Sequence, residues 1–247
     1  MTVVGHLKEA NKIQYEYISN RRVNVLDMSM IKVHIGLFIF HWLILGNIII
    51  PNVLSSISID VPSLLILREM IAASLWSGFV LAISGMEAWV KFRAPVCPRA
   101  FKLDIGRTIF PALNAIECSY CLLCWQLHMS RSKLLDSISS SYISISSEIP
   151  RSLILVTVIL VLDMLWLTPK LVYRGKQVVY LYLKSQSGRE NEEILTSSEF
   201  KKIEKEMKHQ ITPLKKDRTH VLYVVGECIK LLGLGHLVVS LAASLLS

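Results

Sequence analysis

The sequence is poor in charged residues, and it lacks the short motifs that mark common enzyme classes. Only 19% of its 247 residues are charged, while 52% are hydrophobic, which leaves too little polar surface for an ordinary soluble domain. It contains no phosphate-binding glycine loop, no His-Glu-x-x-His motif and no Gly-x-Ser-x-Gly motif. These absences favour a protein that is not an enzyme and that carries no cofactor.

A cleavable signal sequence is also not evident. The first 30 residues are polar and contain Glu9, Glu16 and Asp27, and no apolar run follows the first Met directly. Mitochondrial transit peptides are poor in acidic residues. We therefore expect the first apolar run to be an uncleaved anchor in an endomembrane or the plasma membrane rather than in the mitochondrial inner membrane.

Long apolar runs are what the sequence does contain. There are five, near residues 33–51, 70–90, 108–127, 152–168 and 219–246, and each is about long enough to cross the hydrocarbon core of a lipid bilayer. The sequence thus predicts an all-α, polytopic membrane helix bundle with five transmembrane helices. Pro111 is expected in the first turn of the third helix, where a proline costs few hydrogen bonds.

Basic residues alternate in number between the segments that connect these runs. Twelve of the 27 Lys and Arg residues lie in residues 170–218, and no charged residue follows Lys230. Before these, five basic residues precede the first run and one (Arg68) lies between the first and second runs. Five lie between the second and third runs, and three lie between the third and fourth. The positive-inside rule places the N-terminus inside and the C-terminus outside. Attraction of the inner linker to anionic lipid headgroups explains the net charge of +8 more simply than binding to nucleic acid.

Four charged residues fall deep inside the predicted spans, namely Glu117, Asp163, Glu227 and Lys230. A carboxylate at mid-membrane is costly unless it is neutral, paired or in a wet cavity. Glu227 and Lys230 are spaced i, i+3 and can pair along one helix, or either can bond Glu117 or Asp163 across the bundle. Polar contacts that fix the helix arrangement are the favoured interpretation, and a proton or ion path is the alternative.

Two stripes of potential metal ligands are present. Cys121, Cys124 and His128 lie within about 60° of one another on a helical wheel, a grouping that could bind a soft ion such as Cu(I). Buried cysteines are more often small packing residues. His34 and His41 form the second stripe, for which a position of His34 near the inner interface and a bond of His41 to a neighbouring helix are favoured over a metal or haem.

Small residues recur along the second run at Ser74, Gly78 and Ala82, followed by Gly85. This spacing lets another helix approach closely, so we expect a helix-packing face there.

The inner linker contains two amphipathic stretches. Residues 176–184 are expected to continue the fourth helix into the membrane interface. A capping box begins at Thr196, and from Phe200 apolar residues recur at i, i+3 and i+7 among lysines. We expect an amphipathic inner helix that ends before Pro213 and lies on anionic lipid, with docking on a partner or packing under its own bundle as the alternatives.

Three passages, taken in order, resemble the transmembrane protein 205 family, whose core is a four-span domain of unknown function. They are Ser-Gly at Ser84 followed by Cys-Pro-Arg-Ala-Phe at Cys97 and Ile-Phe-Pro at Ile109, Trp-Leu-Thr-Pro-Lys at Trp166, and a late His220 that opens the last run. The positions that carry the resemblance include Phe110, Pro111, Trp166, Pro169 and His220.

The resemblance covers about residues 67 to 246 and departs from the family where Val221 replaces a glycine after the histidine. It implies a polar inner segment at residues 1–30, an added span and outer loop at 31–66, and a four-span core at 67–247 that includes the inner linker 170–218. The family has been associated with membrane trafficking and with resistance to platinum drugs, but the resemblance implies no reaction or substrate.

Two function classes follow. An accessory, assembly or trafficking partner of a larger membrane protein complex is favoured, because the sequence has no internal repeat and no proline in the middle of a span, and because its five spans include small-residue packing faces. The accessory role predicts another integral membrane protein as a stable partner. The alternative is a small transporter, or a protein that handles soft metals or drugs, acting through the intramembrane carboxylates or the cysteine-rich third helix.

Overall fold

The computed structural model describes residues 28–55, 60–93, 99–139, 150–186 and 218–246, and in these ranges the chain is helical almost throughout, without a β-strand. Each of its five long helices contains a stretch that is long and apolar enough to cross a membrane. The predicted all-α architecture with five such helices is confirmed for this part of the chain, while the inside and outside assignment of the termini stays a prediction. The helices are α1 (residues 28–54), α2 (61–93), α3 (Arg99–Ser139), α4 (151–186) and α5 (Thr219–Leu246).

Apolar side chains cover the outside of the bundle, and ionisable side chains lie within it. Leu165, Leu232 and Val239 are 77%, 75% and 68% exposed, whereas Glu117 and Lys230 are 0% exposed. Water would penalise this distribution, but the hydrocarbon core of a bilayer accepts it. The arrangement agrees with an integral, multi-pass membrane protein.

The start of α2 differs from the sequence-based expectation. The helix begins at Val61, where Asp60 Oδ2 accepts a hydrogen bond from the backbone N–H of Ser63 at 3.1 Å. This bond lowers the pKa of the exposed Asp60 carboxyl. Arg68 therefore lies within the second spanning helix and not in a connecting segment as predicted, and the proposed domain boundary at residues 66 and 67 falls inside a helix.

The third helix is longer than its apolar run, because it starts in the polar stretch at Arg99. Pro111 consequently lies in the helix interior, and the prediction that it occupies the first turn was wrong. The continuation of the fourth helix through residues 176–184 is confirmed by the segment Thr168–Gln186. The predicted amphipathic helix that follows Thr196 lies outside the described residues.

Two π-helical segments stand just before prolines. The segment in α1 precedes Pro51, and the segment in α4 precedes Pro169. Proline has no backbone N–H and crowds the preceding turn, so a wider turn relieves the helix there. Thr168 accordingly donates its N–H to the carbonyl of Asp163, five residues back. A third π-helical segment lies in α2; the three are Phe40–Ile49, Leu81–Glu87 and Asp163–Leu167.

The predicted packing face of α2 is not used by any helix in the described part of the chain, because all four of its small residues are exposed: Ser74, Gly78, Ala82 and Gly85. The helix packs through its opposite side, where Ala72, Ala73, Trp76 and Val80 are each 0% exposed. As an intramolecular packing face the prediction was wrong. Large and small apolar side chains that fill the bundle interior decided the orientation of α2, rather than the glycine and serine spacing.

Close helix approaches occur at two other glycines of the described residues. A Cβ atom on Gly46 of α1 would lie 2.6 Å from a methyl group of Leu123 in α3, and one on Gly233 of α5 would lie 2.6 Å from a methyl group of Val156 in α4. These glycines bring α1 against α3 and α5 against α4. The close contact of α5 with α4 positions the site described next.

Candidate functional site

The ionisable residues predicted inside the spans meet at one point, the Lys230 cluster, formed by Glu117, Asp163, Glu227 and Lys230. Lys230 Nζ lies 2.8 Å from Glu117 Oε1, 2.9 Å from Asp163 Oδ2 and 2.9 Å from Glu227 Oε1. The ammonium group donates hydrogen bonds to both oxygens of Glu117, to Oε1 at 2.8 Å and to Oε2 at 3.0 Å, and its contacts with Asp163 and Glu227 are ion pairs. The pairing along α5 and the pairing across the bundle, which the sequence left as alternatives, occur together.

Four helices supply and hold this cluster. Glu117 comes from α3, Asp163 opens the π-helical segment of α4, and Lys230 comes from α5. From α2, Trp76 donates its Nε1–H to Glu117 Oε1 at 3.0 Å. Gly226 leaves room on α5, because a Cβ atom there would lie 3.3 Å from Asp163 Oδ1.

The charges in the cluster do not balance. Three carboxyl groups surround a single ammonium group, and the side chains are between 0% and 4% exposed. If all four groups were ionised, the site would carry two uncompensated negative charges. Uncompensated charge in a buried site is strongly destabilising. The cluster is therefore stable only when it holds further positive charge, as protons on its carboxyl groups or as a bound cation.

A cavity of about 350 Å³ reaches the cluster from one side. Most of its wall is apolar, but three of the residues that line it carry buried side-chain oxygens: Ser84 Oγ, Tyr223 Oη and both carboxyl oxygens of Glu227. None of these oxygens has a hydrogen bond of good geometry among the described residues. Tyr223 lies close to both Ser84 and Glu227. Buried polar groups of this kind ordinarily have a partner, so the cavity is suited to hold a ligand that supplies one.

The rim of the cavity, here named the Trp89 end, contains Trp89, Arg93 and His220. The Arg93 guanidinium lies 4.4 Å from the centre of the Trp89 ring. Inside the cavity, the ring of Phe110 packs against Tyr223 with centroids 4.8 Å apart. Four residues of the passages that carry the family resemblance, Ser84, Gly85, Phe110 and His220, therefore line this cavity.

The other family positions lie elsewhere. Trp166 is 47% exposed, and Lys170 Nζ lies 4.2 Å from its ring centre. Pro111 is inside α3, and Pro169 follows the π-helical segment of α4. These positions do not form one site.

A second buried polar group, the Glu69 group, consists of Glu69, His128 and Arg131 and was missed in the sequence. Glu69 is 0% exposed, with Oε2 at 3.6 Å from Arg131 Nη2 and Oε1 at 3.9 Å from His128 Nδ1. Arg131 and His128 contact each other at 3.1 Å. The sequence contains a signal for the burial of Glu69, because it precedes Trp76 by seven residues and so lies on the same helix face.

The predicted metal ligands are not gathered into a site. Cys121 Sγ lies 3.4 Å from Thr157 Oγ1, Cys124 is 0% exposed in the core, and His128 belongs to the Glu69 group. Within the ranges that the structure describes, no three His, Cys, Asp or Glu side chains are arranged to hold a metal ion. His41 contacts Tyr120 of α3, Nδ1 to Oη at 3.1 Å, which confirms the expected contact with a neighbouring helix.

No family model, curated protein or solved structure matches this chain. The resemblance to the transmembrane protein 205 family thus stays a prediction. The Lys230 cluster and the cavity beside it are the features of the described residues that bear on function.

Proposed function

We propose that this protein is a non-enzymatic membrane carrier for a cationic solute, and that the carboxyl groups of the Lys230 cluster bind the solute's charge. The observation that carries the proposal is the ratio of three buried carboxyl groups to one ammonium group. A purely structural cluster needs no excess of acid, since one carboxylate would balance Lys230. The excess provides sites that exchange a proton for another cation.

Lys230 has a specific role in this proposal. Its ammonium group is a tethered cation that occupies the three carboxyl groups when no solute is bound. A solute that enters the site displaces part of this contact, and protons leave the carboxyl groups as its charge arrives. The protons that leave offset part of the charge that arrives, which lowers the electrostatic cost of the exchange.

The cavity supports the proposal because it offers a way in from the Trp89 end. Glu227 belongs to both the cluster and the cavity wall. Ionisable residues within spans commonly mark substrate or proton pathways. The sequence alone favoured the accessory role, and the convergence of four ionisable residues beside a cavity is the reason to reverse that order.

The test does not depend on knowing the solute. Proteoliposomes that contain the full chain are adsorbed on a solid-supported membrane and exposed to a pH jump, and the transient current is recorded. We expect a current from the wild type and a large loss of it in the triple variant Glu117→Gln, Asp163→Asn, Glu227→Gln. Glu69→Gln is the matched control and should keep the current. Equal currents in the wild type and the triple variant would contradict the proposal.

The accessory role remains a second candidate, favoured by the exposed small residues on α2. A photo-crosslinking residue placed at Gly78 should capture another integral membrane protein in native membranes. The same probe at Leu232, which is 75% exposed on α5, should capture mainly lipid. Similar crosslinking patterns at the two positions would argue against a specific partner.

A further inference from the structure

We infer that the cavity at the Trp89 end binds a primary ammonium group attached to an apolar body, and this inference rests on the proposed carrier function by naming its solute class. The unpartnered oxygens of three lining residues, Ser84, Tyr223 and Glu227, carry it. A primary ammonium has three N–H donors and no acceptor. Each of the three residues offers at least one acceptor to such a group, and the carboxylate of Glu227 can also accept from the two hydroxyl groups.

The charge at the site selects a cation over an anion or a neutral molecule. Glu227 is 3% exposed and lies beside two further carboxyl groups. A bound ammonium would take its place next to Lys230, where the excess of acid needs positive charge. A neutral alcohol would satisfy at most part of the hydrogen-bonding capacity and none of the charge.

The remaining wall defines the rest of the ligand. Val80, Phe110 and Leu231 line the cavity with apolar surface, and the tilted rings of Phe110 and Tyr223 stand 4.8 Å apart. Aromatic faces beside a carboxylate stabilise an ammonium group through the ring quadrupole. A volume of about 350 Å³ accommodates a small arylalkyl amine, so the solute is an amphipathic amine rather than a hydrated inorganic ion.

Cys228 provides a reporter because it lines the same cavity and is exposed. The purified full chain is treated with N-ethylmaleimide, and the rate of modification of the Cys228 peptide is measured by mass spectrometry. Three ligands of similar shape are compared: 2-phenylethylammonium, its N,N,N-trimethyl analogue and 2-phenylethanol. Cys228→Ala identifies the reporter peptide.

We expect 2-phenylethylammonium to slow the modification, with an apparent affinity about tenfold or more above that of the alcohol, the scale of one charged hydrogen bond. The trimethyl analogue has the charge but no N–H donor and should protect less well. Tyr223→Phe, which keeps the ring and removes one acceptor, should reduce protection by the primary amine and leave protection by the trimethyl analogue unchanged. Glu227→Gln should abolish the preference for cations.

Equal protection by the amine and the alcohol would overturn the inference, because the cavity would then select only apolar shape. Absence of protection by all three ligands, together with no shift of the thermal unfolding midpoint by the amine, would overturn it as well. The pH-jump current separates this inference from the carrier proposal. Protection of Cys228 without a current would support the amine site and refute the carrier. A current without protection would support the carrier and refute the amine site.

Discussion

The Lys230 cluster and the Glu69 group are both buried within the same bundle, yet their charges are arranged in opposite ways. In the cluster, one ammonium group contacts three carboxyl groups at 2.8 to 2.9 Å. In the Glu69 group, one carboxylate stands 3.6 Å from a guanidinium and 3.9 Å from an imidazole. The first site has an excess of acid and short contacts, and the second has an excess of nitrogen groups and longer contacts.

This difference predicts which residue each site can lose. The cluster depends on its only cation, and it holds more carboxyl groups than that cation needs. The Glu69 group depends on its only acid. Substitutions that remove the same kind of charge should therefore have different effects at the two sites.

The largest effect is expected for Lys230→Met, because it leaves three carboxyl groups in a buried site without a cation. Removing one partner of a buried ion pair typically costs about 3–5 kcal/mol. The thermal unfolding midpoint in mild detergent should fall sharply, whereas Lys133→Met, at an exposed position, should change it little. Adding Glu117→Gln to Lys230→Met should restore part of the loss, since the two residues interact directly. Purely additive losses would contradict the account of the cluster.

The next effect concerns the approach of α5 to α4. Gly233→Ala places a Cβ atom 2.6 Å from Val156, and overpacking of this kind costs about 1–3 kcal/mol. By moving α5 away from α4, it should also weaken the contact between Lys230 and Asp163 and leave the Glu69 group unaffected. Gly235→Ala is the matched control, because a Cβ atom there meets no atom within 4 Å. The two variants are compared by thermal unfolding, and equal stabilities would refute the role of Gly233.

Glu69→Gln should have a smaller cost of about 1 kcal/mol, a typical value for a single substitution. Arg131 loses its nearby carboxylate, but its side chain is 15% exposed and can turn toward polar surroundings. The unfolding midpoint measures this loss. A fall as large as that of Lys230→Met would show that the longer contacts matter as much as the short ones.

Glu227→Gln should be the mildest change, below the cost of about 1 kcal/mol expected for Glu69→Gln. Lys230 keeps two carboxyl partners, and the amide retains the shape of the side chain. Measured beside Glu69→Gln, it sharpens the comparison, because both remove one carboxylate. A greater destabilisation by Glu227→Gln than by Glu69→Gln would reverse the assigned difference between the sites.

Much of the helical architecture could be predicted from the sequence, because hydropathy reports the length of an apolar helix directly. The residues of the Lys230 cluster were also recognisable, since a charge inside an apolar run is conspicuous. Their mutual contacts were not, because spacing along one helix fixes only the pair of Glu227 and Lys230. The contacts of Lys230 with Glu117 and Asp163 depend on the rotation and axial position of α3, α4 and α5 relative to one another.

The errors have separate physical origins. The charge of Glu69 lies close to the end of its apolar run, so hydropathy predicts a run that begins after it. The small residues of α2 suggested a packing face, but side-chain volume in the bundle interior determined which face is buried. Asn114, which donates to Thr168 Oγ1 at 2.9 Å, was overlooked because neither residue carries a charge.

The π-helical segment that begins at Asp163 has a consequence for any alignment or redesign of α4. A single π turn contains about one residue more than an α turn, so the two parts of the helix are offset by about 100°. A helical wheel drawn through residues 151–186 would assign its later positions to the wrong side. Separate helical wheels are needed for the residues before and after the segment Asp163–Leu167. A deletion of one residue there would change the direction of every side chain from Thr168 onward while leaving the hydropathy profile almost the same.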